Sequence, residues 1–428
     1  MRDLTGMNKP ELQESHKRLM EEYNILKAQK LNIDMSRGKP CTEQLDNSAG
    51  LFNCLGPDDF TASDGTDCRN YGCLDGIPEA KQLFSDILGV STKELIIGGN
   101  SSLGMMHDTI ARAMLKGLPG GEAPWCKLPA VKFLCPSPGY DRHFSICEFF
   151  NIEMITIPMK DDGPDMDEAE RLAGGDASVK GIWCVPKYSN PQGITYSDEV
   201  VERLAGMRTK APDFRIFWDN AYIVHHLTDT PDRLKDILKA CKEAGNPDRA
   251  LMFCSTSKIS FPGGGIAVMA GSEGNMDYFK TLLSVQTIGP DKLNQLRHVR
   301  YFKTSYNLME HMKKHAQIIG PKFEAVLNVL DERLSGANIA WWSRPKGGYF
   351  ISLDTLEGCA RKTVSMTAEA GIILTKAGAT FPYGRDPLDR NIRIAPTFPS
   401  RGELIKAAEI LSTCLKLACI EKLLAING

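Results

Sequence analysis

Short apolar runs alternate with amphipathic stretches through the middle of this 428-residue chain, and this pattern limits the possible folds most. The apolar runs are residues 94–97, 131–135, 154–158, 181–185, 215–218, 251–254 and 266–269. Amphipathic stretches separate most of them, for example residues 101–115, 197–207 and 231–244. Strands and helices that alternate in this way form mainly parallel sheets with helices on both faces. We therefore predict an α/β fold built on a mainly parallel seven-stranded sheet.

The two ends of the chain predict a second, smaller unit of α+β structure. A helix is expected over about residues 10–30, and a helical pattern over residues 291–334 with a break near Gly320-Pro321. Short strands are expected at residues 348–353, 372–374 and 392–394, before a last helix from about 401 to 424. Because single cores stop growing at roughly 250–300 residues, two domains are expected.

Charge and cysteine content exclude several classes of protein. The formal net charge is −2 and no basic run of five residues occurs, which argues against a nucleic-acid partner. No apolar stretch approaches the roughly 18 residues of a membrane helix, and the charged N-terminal segment is unlike a signal peptide. The 13 cysteines form no C-x-x-C pair, which is typical of free thiols in a reducing compartment. A cytoplasmic enzyme without a membrane partner is expected.

His311 and His315 lie four residues apart on a predicted helix, a spacing that can bind metal. They are not part of a His-Glu-x-x-His pattern, and the neighbouring Lys313 and Lys314 indicate a solvated face. We therefore predict no metal site.

Polar side chains follow the apolar runs at the points where the predicted strands end. Asp219 and Tyr222 follow one run, and Lys258 follows another. Ligands of open α/β sheets bind outside the carboxyl ends of the strands. Each residue alone would be an ordinary cap, turn or solvated side chain. Only their order and spacing along the chain indicate a common site.

That order resembles the fold-type I pyridoxal-5′-phosphate (PLP) aminotransferases of class I/II. The motifs are Asn-Pro-x-Gly from Asn190, Asp-x-x-Tyr from Asp219, Ser-x-Ser-Lys ending at Lys258, and the late Arg393. The separations of 29, 39 and 135 residues also fit. The run 377–383 (Ala-Gly-Ala-Thr-Phe-Pro-Tyr) is most similar to a divergent aspartate-aminotransferase-like subgroup.

The resemblance implies a division of the chain into domains. Residues 1–48 would form an N-terminal arm and part of the small domain, residues 49–316 the large PLP-binding domain, and residues 317–428 the small domain.

The resemblance also assigns three catalytic residues. Lys258 would bind PLP covalently through its amine and then serve as the base. Asp219 would keep the proton on the ring nitrogen, because a nearby carboxylate favours the charged form. Tyr222 and Asn190 would hydrogen-bond the phenolic oxygen of the cofactor.

The remaining cofactor contacts concern the phosphate and the ring. Ser101 and Ser102 lie at a predicted helix start, where backbone N–H groups and hydroxyls bind phosphate. Ser255 and Ser257 can add hydroxyls. By resemblance Tyr140 would stack on the ring, and Tyr71 would reach the phosphate of a neighbouring subunit, which implies a homodimer with shared active sites.

The substrate would be held by a second group of residues. Arg393 would bind the α-carboxylate with its guanidinium fork, together with Asn190 and the N–H of Gly38. A dicarboxylic substrate needs a further cation, for which several residues are candidates. These are Arg37, Lys39, Lys292, Arg297 and Arg385.

The chain departs from the family at one point. Gly265 and Ile266 stand where the family commonly has an arginine that binds the phosphate. Either another cation, such as Lys187, replaces it, or hydroxyls and backbone groups hold the phosphate.

The expected activity is transamination between an L-amino acid, with aspartate favoured, and a 2-oxo acid such as 2-oxoglutarate. Another PLP reaction on the same fold, a C–S β-lyase or a decarboxylase, is the main alternative, since fold alone does not decide chemistry. A PLP-sensing regulator would need an additional DNA-binding domain. A nicotinamide dehydrogenase would need a glycine fingerprint that neither glycine run supplies.

Overall fold

A computed structural model describes residues 3–426, in which two sheets and a short strand pair are enclosed by helices. The strands are β1 (Ile33–Asp34), β2 (Leu95–Ile97), β3 (Lys132–Ser137), β4 (Glu153–Lys160), β5 (Gly163–Pro164), β6 (Val179–Cys184), β7 (Arg215–Asp219), β8 (Ala250–Ser255), β9 (Ala267–Ala270), β10 (Ala340–Trp342), β11 (Ile351–Thr355), β12 (Ile372–Ile373) and β13 (Asn391–Ile394). The α-helices are α1 (Lys9–Lys27), α2 (Thr42–Asp46), α3 (Pro78–Leu88), α4 (Ser102–Lys116), α5 (Asp141–Phe149), α6 (Met166–Gly175), α7 (Asp198–Gly206), α8 (Ile237–Glu243), α9 (Glu273–Gln286), α10 (Lys292–Phe302), α11 (Ser305–Leu334), α12 (Ala360–Glu369) and α13 (Arg401–Ile426). None of these helices is both long and apolar enough to span a membrane.

The large sheet has the strand order β2-β9-β8-β7-β6-β3-β4-β5. The central strands β8, β7, β6, β3 and β4 pair in parallel, whereas β9 is antiparallel to both of its neighbours. The predicted mainly parallel sheet is confirmed, and each of the seven apolar runs overlaps a strand. The two-residue strand β5 adds an eighth at the edge. The carboxyl ends of β3, β6, β7 and β8 therefore lie along one edge of the sheet.

Both faces of the large sheet are buried, which explains why its strands are continuous apolar runs. Ile182 and Trp218 belong to one hydrophobic cluster, whereas Trp183 and Phe217 belong to another. Adjacent residues of a strand point to opposite faces. A strand that is covered on both faces therefore needs apolar residues at every position.

A second hydrophobic core joins the two ends of the chain. It contains Leu12 and Leu19 of α1, Leu330 of α11 and Leu411 of α13. The antiparallel sheet β10-β11-β13 and the parallel pair β1-β12 complete this α+β unit. The expected smaller α+β layer is therefore present, while the domain boundaries after residues 48 and 316 stay a prediction.

Helix α11 is continuous where the sequence predicted a break. It runs from Ser305 to Leu334 with Pro321 inside it. Its first half buries Leu308 in the large core and its second half buries Phe323 in the small core. Burial at both ends outweighs the roughly 3 kcal/mol that an internal proline costs. The true break precedes the helix, at Lys303 with φ 62°, and Thr304 caps α11.

The prediction that His311 and His315 lie on a solvated face of the helix is wrong. Both imidazoles are buried, whereas Lys313 and Lys314 are exposed on the other side of α11. His315 Nδ1 accepts a hydrogen bond from Gln44 Nε2 at 3.0 Å, and burial lowers the pKa of His315 to about 3. His315 therefore connects α11 to α2.

The β1–β12 pair positions the segment that begins with Ser36. The N–H of Ile33 donates to the carbonyl of Gly371 at 2.9 Å, and the N–H of Met35 donates to that of Ile373 at 2.8 Å. Gly371 has φ 86°, and a Cβ there would lie 1.9 Å from the Leu31 carbonyl oxygen.

We expect Gly371→Ala to lower the free energy of unfolding by roughly 1–3 kcal/mol, because of positive-φ strain and the clash with Leu31. Urea unfolding measures this change. Gly402→Ala is the control, since a Cβ at Gly402 meets nothing within 4 Å. Equal unfolding free energies for the two variants would contradict the expectation.

Candidate active site

A cavity of about 270 Å³ lies at the carboxyl edge of the large sheet, where β3, β6, β7 and β8 end. Of the twelve residues predicted for the site, all but Tyr71 line this cavity. They are Gly38, Ser101, Ser102, Tyr140, Asn190, Asp219, Tyr222, Ser255, Ser257, Lys258 and Arg393. Residues from both hydrophobic units therefore meet at one place.

Parallel strand ends bring most of these residues together. Asp219 is the last residue of β7 and Ser255 the last of β8, while Lys258 follows in the next turn. Tyr140 caps α5 after β3, and Ser101 caps α4. Gly38 approaches from the small unit, and a Cβ there would lie 2.6 Å from the ring of Phe350.

Asp219 is a buried carboxylate with one paired and one free oxygen. Its Oδ2 accepts a hydrogen bond from His143 Nε2 at 3.1 Å, and His143 stacks on Trp183 with centroids 4.4 Å apart. Its Oδ1 has no hydrogen-bond partner in the described part of the chain. A buried charged oxygen without a partner is costly, so this oxygen can accept a donor from a ligand in the cavity.

The amine of Lys258 lies between aromatic rings. Its Nζ is 5.2 Å from the ring centroid of Tyr222 and 5.8 Å from that of Tyr349. Burial lowers the pKa of Lys258, and the nearby Asp219 charge acts in the opposite direction. Burial also raises the pKa of Tyr222 well above its usual value. Burial of the Lys258 amine therefore shifts it towards the neutral form, which is the nucleophilic one.

A group of hydroxyls lies at the N-terminus of α4. Ser255 Oγ donates to Ser257 Oγ at 3.0 Å, and Ser257 Oγ donates to the Asn100 carbonyl at 3.1 Å. Ser101 precedes the 15-residue helix α4 without a side-chain capping bond. Hydroxyls and first-turn N–H groups of this kind bind anions such as phosphate.

The guanidinium of Arg393 is fixed by several contacts. Nε donates to Thr375 Oγ1 at 3.2 Å, and Nη1 donates to Asp141 Oδ1 at 2.7 Å and to Asn190 Oδ1 at 3.3 Å. The guanidinium carbon also lies 4.9 Å from the ring centroid of Phe350. Arg393 is therefore held with its charge at the cavity wall.

Three consecutive residues at the cavity are ones that the sequence analysis did not single out. Asp141 and Arg142 line the cavity, and His143 holds Asp219. Arg142 forms no hydrogen bond or ion pair with any residue in the range 3–426. The signal that could have identified all three is their position directly after Tyr140, where helix α5 begins a few residues beyond strand β3.

Other predicted residues lie elsewhere. Tyr71 is 78% exposed and outside the cavity. Lys187, the suggested replacement for the family arginine, does not line the cavity, and its amine lies 5.6 Å from the Tyr188 ring centroid. Lys187 therefore does not reach the cavity in the position that was suggested for it.

Only some of the candidate cations for a second carboxylate are near the cavity. Arg37 and Lys39 line it. Lys292 Nζ instead donates to the Gly72 carbonyl at 3.0 Å, and Arg297 Nη2 donates to Asn294 Oδ1 at 2.5 Å. Arg385 does not line the cavity.

Comparisons with known proteins agree with this geometry. The family described as aspartate amino-transferase matches residues 7–427. An aspartate aminotransferase of Corynebacterium glutamicum is 45% identical over 95% of this chain and 94% of its own length. A protein of Mycolicibacterium smegmatis that is named as an aminotransferase is 47% identical over 98% of both chains.

Solved structures give the same result. The crystal structure of an aspartate transaminase from Corynebacterium glutamicum superimposes with a TM-score of 0.96 and 44% identity, covering 98% of this chain and 99% of that one. A kynurenine aminotransferase from Pyrococcus horikoshii, at 19% identity and a TM-score of 0.74, shares the fold. This chain belongs to the aspartate aminotransferase family and has the fold of fold-type I PLP-dependent aminotransferases.

Proposed function

We propose that this protein is a PLP-dependent transaminase that moves an amino group between an L-amino acid and a 2-oxo acid. The observation that carries the proposal is one cavity that combines the amine of Lys258, the free oxygen of Asp219 and the guanidinium of Arg393. When bound, PLP supplies an aldehyde carbon that condenses with amines and a ring that accepts electrons from Cα of the amino acid.

The residues of the cavity fit PLP at both of its ends. The free Oδ1 of Asp219 can accept the N–H of the pyridine ring, and a carboxylate there keeps that nitrogen protonated. The phosphate would bind Ser101, Ser102 and the first-turn N–H groups of α4. Ser255 and Ser257 add hydroxyls on the same side.

The roles of the chain's own groups follow from their surroundings. His143 donates a hydrogen bond to Oδ2 of Asp219 and so holds the carboxylate in position. The Nζ of Lys258, whose pKa is lowered by burial, would take the proton from Cα of the amino acid and deliver it to the former aldehyde carbon of the cofactor. Tyr222 remains protonated and can donate its O–H into the cavity.

Aspartate and glutamate are the amino acids that the cavity favours. Arg393 can bind the α-carboxylate, while Arg37, Lys39 and Arg142 add positive charge to the same walls. Of these three, Lys39 lies against the Phe398 ring, with its amine 3.7 Å from the centroid, and Arg37 is exposed. Arg142 is half-buried and has no partner within residues 3–426, so it is the side chain most available for a second carboxylate.

Replacement of Arg142 by glutamine should raise KM for L-aspartate by about 10–100-fold, the usual loss for one charge-assisted hydrogen-bonded pair. The KM for L-alanine, which lacks the second carboxylate, should change little. Steady-state kinetics with both amino acids measure the difference. Arg37→Gln is the comparison, because Arg37 lines the same wall but is exposed, and its loss should raise KM for L-aspartate much less. Equal losses for alanine and aspartate in the Arg142 variant would contradict this role of Arg142.

The proposed activity has a direct test. The protein loaded with PLP should convert L-aspartate and 2-oxoglutarate into oxaloacetate and L-glutamate in equal amounts. Release of pyruvate and ammonia from a cysteine conjugate without any 2-oxo acid would instead indicate a β-lyase. Release of carbon dioxide would indicate a decarboxylase.

A homodimer with shared active sites is part of the proposal. Tyr71 is 78% exposed, and the apolar side chains of Phe52, Val285 and Ile288 are also largely exposed. Exposed apolar side chains are typical of surfaces that a second subunit covers. In such a dimer Tyr71 would reach the phosphate bound by the partner subunit.

A further inference from the structure

The ion pair between Arg393 and Asp141 places a carboxylate where a substrate carboxylate would bind. Nη1 of Arg393 is 2.7 Å from Oδ1 of Asp141, and both side chains line the cavity. The Arg393 side chain is 5% exposed and that of Asp141 is 29% exposed. The pair therefore lies at the cavity wall, with the carboxylate on the more accessible side.

The hydrogen bonds of the guanidinium show which donors a ligand can use. A carboxylate binds a guanidinium best through two parallel N–H groups, from Nη1 with Nη2 or from Nε with Nη2. Nη2 has no partner among the described residues, but Nε already donates to Thr375, and Nη1 donates to Asp141 at 2.7 Å and to Asn190 at 3.3 Å. A bidentate ligand must therefore displace Thr375 or a partner of Nη1, and the closer, charged partner of Nη1 is Asp141.

Thr375 is the less movable of the two. Its hydroxyl donates to the Ser36 carbonyl at 2.6 Å while it accepts from Arg393. Asp141 is the first residue of α5, and no other side chain is hydrogen-bonded to its carboxylate in the described ranges. It can rotate away from Arg393 without breaking any other side-chain bond.

We propose that Asp141 forms an ion pair with Arg393 when no substrate is bound, and that the α-carboxylate of the substrate displaces Asp141 from this pair. This inference rests on the proposed function, in which Arg393 binds that carboxylate. Asp141 keeps the buried guanidinium paired and oriented in the free enzyme, since an unpaired buried charge is unfavourable. Each substrate then has to compete with an internal carboxylate, so that Asp141 is a positioning residue that sets KM.

The test is Asp141→Asn, which retains an acceptor oxygen but removes the charge. Because charge-assisted hydrogen bonds are roughly twice as strong as neutral ones, we expect KM for L-aspartate to fall by about 5–30-fold. We expect kcat to change by less than about twofold, since the substrate has already displaced Asp141 in the complex. An increase in KM would overturn the proposal, because it would mean that Asp141 only holds Arg393 in place.

A binding measurement separates this inference from the proposed activity. Succinate, a dicarboxylate without an amine, should bind the PLP-loaded Asp141→Asn protein about 5–30-fold more tightly than the unchanged protein, by calorimetry. Asp198→Asn, an exposed acid in the first turn of α7, is the control and should leave succinate binding unchanged.

The Arg393→Gln background completes the test as a double-mutant cycle. With Arg393 absent, Asp141→Asn should no longer change succinate affinity. An equal gain in succinate affinity with and without Arg393 would overturn the proposal. It would mean that the charge of Asp141 simply repels anions from the cavity. If the unchanged protein binds succinate but transfers no amino group from aspartate, the proposed function fails while the displacement can still be judged.

Discussion

Lys258→Ala should abolish amino-group transfer, with kcat/KM reduced by at least about 10⁴-fold. The variant loses both the covalent attachment of the cofactor and the base for the Cα proton, and general-base catalysis alone contributes about 10²–10⁴-fold. Burial lowers the pKa of Lys258. Among residues 3–426, the only other lysine that lines the cavity is Lys39, which is exposed. The coupled assay with L-aspartate and 2-oxoglutarate measures the loss.

A second readout identifies the attachment directly. Borohydride reduction of the PLP-loaded protein should fix the cofactor on the peptide that contains Lys258, and mass spectrometry should detect no such adduct in the alanine variant. Lys187→Met is the matched control, because Lys187 is also a buried lysine but lies outside the cavity. It should retain both the adduct and the activity. An adduct on any other lysine of the unchanged protein would disprove the assignment.

Asp219→Asn should reduce kcat by about 10²–10⁴-fold while the cofactor still binds. The amide has the size of the carboxylate and can still contact His143, but it lacks the charge that keeps a buried ring nitrogen protonated. The measurement is single-turnover kinetics of the PLP-loaded variant with L-glutamate, beside a titration of PLP affinity.

Asp219→Glu distinguishes charge from shape. A glutamate at this position keeps the negative charge but displaces it by one methylene, so it should recover part of the lost rate. If the Asn and Glu variants were equally slow, the geometry of β7 would matter more than the charge of Asp219.

The large sheet could be predicted because burial on both faces requires apolar residues along the whole of each strand, and such runs are visible in the sequence. Strands such as β6 and β7 are apolar at nearly every position, and amphipathic helices separate them. Helix α11 could not be predicted correctly, because Pro321 is tolerated only through packing against two separate cores. Similarly, helix α8 begins at Ile237 rather than near 231, after a segment with Pro231 and without regular helix.

The candidate site could be predicted where polar residues directly follow buried strands, as Asp219 and Lys258 do. Asp141 and His143 were missed because, read locally, they are ordinary residues of a helix's first turn. Their partners are distant in the chain: Asp141 pairs with Arg393, 252 residues away, and His143 with Asp219, 76 residues away. Such pairs depend on how the two units pack, which no local pattern encodes.

The packing of α1 against α13 has a consequence for how the protein is made. The two helices share the small core, yet α13 begins roughly 390 residues after α1. At translation rates of about 5–20 residues per second, α13 is synthesised on the order of 20–80 s after α1. Leu12, Leu19 and Tyr23 remain uncovered by α13 during that interval, while the large sheet can already fold. Nascent chains of this protein should therefore be most prone to aggregation and chaperone capture through their first helix.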